Sequence, residues 1–278
     1  MNLTLGFSPC PNDTFIFDAL VNRKIDTGDL RFDVALEDVQ TLNKWAIEGR
    51  MDFSKISYGV LPLITEQYSV LQSGGALGKG VGPLLISRAP VENIQESIKD
   101  LVVGIPGENT TAHMLFSLAF PNARLKKFVL FSDVENMVLS GEIDLGVIIH
   151  ENRFTYQKRG LVKIIDLGNF WEETTGNPIP LGGIVAKRSL DKDLIRKVDA
   201  LIRESVNYSF EQYPGISEYI RAHAQEMDES VMRQHIDLYV NDYSKSLGRS
   251  GEDAVKKLLE VYGSLHPHMT LHQPLFAV

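Results

Sequence analysis

The chain has one cysteine, Cys10, among its 278 residues, so no internal disulfide can brace it. It also lacks long apolar runs. Stretches such as 114–120 and 144–149 fall far short of the ~20 residues that a bilayer span needs, which excludes membrane insertion. Basic residues are the minority: 28 Lys and Arg against 36 Asp and Glu leave a formal charge of −8. That balance excludes nucleic acid as a partner, because phosphate contacts need a basic surface. Several chemical signatures are missing too. No Gly-x-Gly-x-x-Gly opens a helix, no Gly-x-Ser-x-Gly elbow occurs, and no Cys-x-x-Cys is present. Nicotinamide enzymes, serine hydrolases and zinc proteins are left without motif support. Met1 to Gly6 carry neither a basic n-region nor an apolar h-region, so a cytoplasmic location is expected.

What is present is an alternation of short strand-like runs with longer helical periods. Strands are expected at 3–7, 30–36, 52–57, 84–87, 101–105 and 145–149, with helical patterns at 13–21, 38–48 and 58–67 among those between them. Such alternation means βαβ units and an α/β fold with a largely parallel sheet. After residue 189 the pattern turns helical, at 191–208, 214–226, 230–240 and 252–262. A helical C-terminal region of this kind is compatible with a homodimer. Two stretches read as crossings between domains: 73–83, with Gly74, Gly75, Gly78, Gly80 and Gly82, and 176–180, with Asn-Pro-Ile-Pro. They predict a discontinuous larger domain, 1–88 with 183–278, interrupted by a smaller one, 89–182. Ligands of such α/β pairs bind in a cleft outside the carboxyl ends of the strands.

Polar residues concentrate where strands are expected to end. Ser8-Pro9-Cys10-Pro11-Asn12-Asp13-Thr14 follows the first strand, and Ser54-Lys55-Ile56-Ser57 closes the third. Pro106-Gly107-Glu108-Asn109-Thr110-Thr111 and His150-Glu151-Asn152-Arg153 follow two strands of the insert. Unpaired N–H groups at helix starts favour a carboxylate or phosphate, so a small-molecule carboxylate or phosphate is the expected ligand. Helix capping alone would also explain Asn12, Asp13, Asn109 or Thr110 taken singly.

Individual side chains divide between chemistry and packing. His150, ending an apolar strand, suits a general base near neutral pH, or is a hydrogen-bonded packing residue. Cys10 at a helix start has a nucleophilic reading and a commoner structural one. Lys55 fits either a Schiff-base amine or a counter-charge for a carboxylate, and the counter-charge is the commoner case. Gly78-Lys79-Gly80-Val81-Gly82 lacks the Ser or Thr of a phosphate loop and reads as a flexible or close-packed connection. His266, His268 and His272 lie in a Pro-punctuated tail without a carboxylate or cysteine at ligand spacing, and a structural metal there is the lesser reading. His113, His223 and His235 read as packing or surface residues.

With these residues in view, the sequence resembles the 1,4-dihydroxy-6-naphthoate synthase family of the futalosine route to menaquinone. Gly6-Phe7-Ser8-Pro9-Cys10-Pro11-Asn12-Asp13-Thr14-Phe15-Ile16-Phe17 looks like its opening signature. Leu36-Glu37-Asp38-Val39, Lys55-Ile56-Ser57-Tyr58, Ser73-Gly74-Gly75-Ala76-Leu77-Gly78, Thr110-Thr111-Ala112 and Ile148-Ile149-His150-Glu151 also match. The likeness runs from residue 6 to about residue 245; Asn152 and the Glu108-Asn109 pair depart from the family pattern. The resemblance implies a type II periplasmic-binding-protein fold adapted to catalysis. It implies a lyase that converts cyclic dehypoxanthinylfutalosine to 1,4-dihydroxy-6-naphthoate with release of dihydroxyacetone. His150 would be the base. Lys55, Ile56, Ser57, Thr111 and Ala112 would contact substrate, joined on the strand-end reading by Ser8, Asn12 and Thr110. Closure of the two domains would exclude water and align His150. No metal or organic cofactor is expected. The nearest alternative is the chorismate dehydratase of the same pathway; a non-catalytic carboxylate solute-binding protein is the alternative from another class.

Overall fold

The computed structural model describes all residues except 226, 227, 267, 269 and 278. The chain forms two compact units, Met1–Gly78 with Pro180–Val278, and Lys79–Ile179.

The first unit starts with β1 (Asn2–Phe7), α1 (Pro11–Val21), β2 (Arg31–Leu36), α2 (Val39–Ile47) and β3 (Phe53–Ser57). Period-two alternation in β1 sends Leu3, Leu5 and Phe7 into the core. β1 pairs in parallel with β2, from Asn2↔Arg31 to Phe7↔Leu36, and with β3 on its other side. Asp38 caps α2 as its sequence position suggests, accepting from the backbone N–H groups of Gln40 (2.9 Å) and Thr41 (3.2 Å). α3 (Leu61–Ile64), β4 (Tyr68–Val70) and β5 (Ala76–Gly78) follow.

The second unit comprises β6 (Leu84–Ser87), α4 (Ile94–Ser97), β7 (Val102–Ile105), α5 (Thr111–Ala119), β8 (Leu125–Phe128), α6 (Val134–Ser140), β9 (Leu145–Ile148), α7 (Asn152–Thr155), β10 (Val162–Asp166) and α8 (Leu167–Thr175). Its sheet runs β10-β6-β9-β7-β8. β7 is parallel to β8 and β9, whereas β6 is antiparallel to β9 and β10. Ile86, Val134, Val138, Ile143 and Ile148 form its core. Gly146 admits α6 there, since a Cβ on it would stand 2.5 Å from Val134 Cγ1.

β11 (Ile179–Lys187) and α9 (Lys192–Gln212), α10 (Glu218–His223), α11 (Glu229–Tyr239), α12 (Asp242–Lys245) and α13 (Gly248–Leu265) complete the chain. β11 enters the first sheet antiparallel to β3 and β4, giving the order β2-β1-β3-β11-β4, with β5 also on β11. The core of this unit is aromatic at its centre: Phe7 stacks on Phe17 with ring centroids 4.4 Å apart. α9 lies along α1, and Ser205 on α9 bridges one turn of α1, donating to the Ile16 carbonyl (2.7 Å) and accepting from Leu20 N–H (3.0 Å).

The first junction between units falls at Gly78/Lys79, ahead of the expected position near residue 88, because β6 pairs with β9 and β10 of the insert. The helix expected over 214–226 is the shorter α10, and residue 226 lies outside the described residues. Among the described residues, no helix is long and apolar enough to cross a membrane.

Candidate active site

In the first unit the polar loop after β1 folds onto a single carboxylate. Pro11 occupies the first turn of α1, whose free N–H it does not need, and Cys10 takes the N-cap position without a side-chain cap. Asp13, two residues in and buried, turns back. Its Oδ2 accepts from Ser8 Oγ (2.7 Å) and Ser8 N–H (3.2 Å), and its Oδ1 accepts from Asn12 Nδ2 (2.8 Å). Lys55 reaches the same carboxylate at 3.0 Å from β3, with 6% and 3% of the two side chains exposed. Its ammonium also donates to the Gly74 carbonyl at 2.9 Å. Gly74 has φ +82, a conformation that strains any side chain, and that turn aims its carbonyl at Lys55.

A buried lysine is tolerated where a carboxylate and a carbonyl answer its charge, and both do here. Lys55 is therefore the counter-charge of Asp13, and a Schiff base would have to break that ion pair. Asn12 extends the network: its Oδ1 lies 3.0 Å from Nε2 of buried His235 on α11. Because Asn12 uses its amide N–H on Asp13, its oxygen is the acceptor and His235 Nε2 carries the proton. Cys10 is buried, its N–H donating to Ser8 Oγ at 3.4 Å.

Ser57 and Ile56 end β3, both buried. The Ser57 N–H donates to Asn43 Oδ1 of α2 at 2.9 Å. Beyond them Tyr58 crosses β11 at Gly183, where a Cβ would come within 2.3 Å of the phenol oxygen. The Tyr58 hydroxyl finds no hydrogen-bond partner among the described residues. Burial pushes its pKa far above the usual phenol value.

In the second unit Thr110 caps α5, accepting from His113 N–H at 3.2 Å, while its hydroxyl donates to the Gly107 carbonyl at 3.0 Å. Gly107 turns the chain at φ +94. Thr111 and Ala112 are buried in the first turn. His113 Nδ1 lies 2.7 Å from the Glu108 carbonyl, so Nδ1 donates, and Nε2 faces the Lys126 ammonium at 3.3 Å as its acceptor. Burial first, and then Lys126, lower the His113 pKa against the opposing pull of Glu108.

His150 follows β9 at φ +55, in the left-handed region that an L-residue enters at a cost. Its imidazole packs on Phe131, ring centroids 4.9 Å apart. The next turn is α7, in which Arg153 N–H donates to the His150 carbonyl at 3.3 Å. The Arg153 guanidinium pairs with Asp166 at 2.7 Å and donates to the carbonyls of Gly80 and Gly82. The glycine stretch is close-packed: a Cβ on Gly82 would stand 2.3 Å from the Gly168 backbone.

Thus Ser8, Asn12 and Lys55 share one network, with Ile56 and Ser57 on the same strand as Lys55, and Thr110, Thr111, Ala112 and His150 stand at two strand ends of the other unit. Capping accounts for Thr110, whereas Asn12 and Asp13 pair with neighbours instead. Four participants escape a reading of the sequence alone: His235, Asn43, Gly74 and Phe131. Each comes from a distant element, and only Gly74, in a glycine-rich run, carries a local signal. His266, His268 and His272 form no metal-binding group among the described residues, and residues 267 and 269 between them lie outside the description.

Comparison with known proteins gives a consistent picture. A family described as menaquinone biosynthesis matches residues 3–264. A protein of Thermus thermophilus named 1,4-dihydroxy-6-naphthoate synthase is 46% identical over 256 residues, 92% of each chain. One of the same name from Streptomyces coelicolor is 40% identical over 262 residues, 92% of this chain and 91% of that one. Among solved structures, a protein of Archaeoglobus fulgidus has a TM-score of 0.89 at 28% identity, covering 96% of this chain and 98% of its own. The periplasmic aliphatic sulphonate binding protein of Escherichia coli has a TM-score of 0.64 at 11% identity, covering 96% and 88%, a likeness of fold alone. The α/β fold is periplasmic-binding-protein-like.

Proposed function

Because the chain belongs to the menaquinone-biosynthesis family, we propose that it is the carbon–carbon lyase that forms 1,4-dihydroxy-6-naphthoate from cyclic dehypoxanthinylfutalosine, releasing dihydroxyacetone. The observation that carries this reading is the span of the match: residues 3–264 take in every candidate side chain from Ser8 to His150.

His150 is assigned the base. It takes a proton from a substrate hydroxyl, the carbon–carbon bond breaks in a retro-aldol sense, and aromatisation of the product ring draws the reaction forward. The left-handed turn supports that role, since strain held in place by its surroundings is a feature of working residues. Each unit is assigned substrate contacts of its own: the Ser57 hydroxyl in one, Thr111 and the helix-start N–H of Ala112 in the other, while Ser8 and Thr110, whose hydroxyl protons go to Asp13 and the Gly107 carbonyl, are assigned as packing contacts. Asn12, Lys55 and Ile56 complete the assigned contacts, Lys55 as a fixed cation paired with Asp13. The reading carries with it a cytoplasmic enzyme, and a homodimer is the assembly to look for by light scattering.

The test is to incubate the purified protein with cyclic dehypoxanthinylfutalosine and follow both products by mass spectrometry. Product formation is expected, with turnover lowered roughly 10²- to 10⁴-fold in His150→Ala. Unchanged substrate would overturn the reaction, and full turnover by His150→Ala would overturn the base. Borohydride added during turnover should trap nothing on Lys55.

A further inference from the structure

The left-handed backbone of His150 needs something to hold it. On one side β9 ends in register, with Ile148 opposite Leu84 of β6. On the other stands α7, only four residues long, too short to be stable by itself. Arg153 is tied both to that turn and to its surroundings. Its backbone N–H is bonded to the His150 carbonyl at 3.3 Å, and its side chain, 15% exposed, is tied in three directions. The guanidinium meets Asp166 Oδ2 at 2.7 Å, the Gly80 carbonyl at 2.8 Å and the Gly82 carbonyl. Each anchor is itself held. Asp166 uses its other oxygen to cap α8, accepting from Gly168 N–H (2.9 Å) and Asn169 N–H (3.2 Å). Gly80 N–H donates to Glu172 Oε1 at 2.7 Å. Gly82 and Gly168 touch backbone to backbone.

We propose that Arg153 and Asp166 are a positioning pair that locks the His150 turn, and so the direction of its imidazole, to the start of α8. This deepens the assignment of His150 as base and rests on it. A planar fork satisfies two carbonyls and a carboxylate together, whereas a lysine at the same place would reach only part of the set. Neither residue touches the reacting atoms; they act through the His150 backbone, and Phe131 limits the ring from the side.

The test uses the full chain carrying Arg153→Ala, Arg153→Lys or Asp166→Asn, with Arg159→Ala as the control. Arg159 pairs with buried Glu135 at 2.6 Å in the same unit but does not bond the His150 turn. Two quantities are read: kcat and KM with cyclic dehypoxanthinylfutalosine, and the imidazole resonances of His150 in long-range ¹H–¹⁵N spectra, assigned with His150→Gln. Arg153→Ala is expected to lower kcat by roughly 10²-fold, the scale of a misplaced catalytic group, with KM little changed. Its His150 resonances should move, and Arg153→Lys should fall between it and the unmodified protein. Arg159→Ala should keep both kcat and the resonances. Unchanged kcat in Arg153→Ala, or a lowered kcat with His150 resonances unmoved, overturns the proposal. Should His150→Ala keep full turnover, the base assignment fails on its own evidence, while the resonances still report whether Arg153 holds the turn.

Discussion

The loop after β1 and the turn after β9 hold the same place in their units, at the carboxyl end of a strand and the start of a helix, yet they are built on opposite plans. After β1 the charges answer one another: Asp13 gathers Ser8, Asn12 and Lys55, and Lys55 in turn meets the Gly74 carbonyl. After β9 the chain is strained at His150, and the charge that steadies it sits three residues on, in Arg153. The contrast separates two tasks. One is to close a buried charge on its own neighbours, a carboxylate and a carbonyl. The other is to hold a strained backbone from outside, through the Arg153 side chain.

Breaking the closed network should have the largest effect. Asp13→Ala leaves the Lys55 ammonium buried with a carbonyl alone, at a cost of ~3–5 kcal/mol in denaturant unfolding. The double change Asp13→Leu with Lys55→Met should cost less than the two single changes added together. An unaltered unfolding midpoint in Asp13→Ala would mean the network is not closed. Next comes Gly82→Ala, which drives a Cβ to 2.3 Å from the Gly168 backbone. Overpacking against atoms that cannot give should cost about 1–3 kcal/mol, read from thermal unfolding. Strain at the second site predicts a smaller difference: His150→Gly should be more stable than His150→Ala by about 1 kcal/mol, because glycine enters φ +55 freely. Equal stabilities would show the turn to be relaxed.

The finest distinction is in pH. The His113 pKa is lowered in the folded chain, by burial first and by Lys126 after it. Its contribution to stability is therefore present above the ordinary imidazole value of about 6.5 and is lost as pH falls below it. Urea midpoints of the unmodified chain should decline over that window, and His113→Gln should flatten the decline.

The six strands expected from the sequence are all present, because Leu3-Leu5-Phe7 and Leu145-Val147 carry the burial pattern in their own residues. β8 and β10 do not show in the sequence, for physical reasons. β8 reads Leu-Lys-Lys-Phe on an exposed sheet edge, and β10 changes register between Lys163 and Ile165, so neither alternates cleanly. The stretch expected as a helix over 58–67 contracts to α3, Leu61–Ile64, with Pro62 in its first turn. At the site, residues next to strand ends were legible, since Ser8, Asn12, Lys55, Thr110 and His150 punctuate apolar runs. His235 was not, because a histidine within the helical stretch 230–240 looks like any packing residue until α11 lays it beside Asn12. Arg153 stands in the legible cluster after β9, but its partners at Gly80, Gly82 and Asp166 do not show in the sequence.

The position of β11 between β3 and β4 has a bearing on how the chain is made. Lys79–Ile179 is one unbroken stretch, so it can close while later residues are still on the ribosome. The residues ahead of it cannot. β3 waits for β11, and the inner side of α1 waits for α9, which starts at Lys192. Domains fold as units during synthesis, commonly from the amino end forwards. Here the middle of the chain is ready first. Phe15, Ile16 and Leu20 of α1 wait for α9 to cover them, and that nascent segment is one which a holding chaperone would meet.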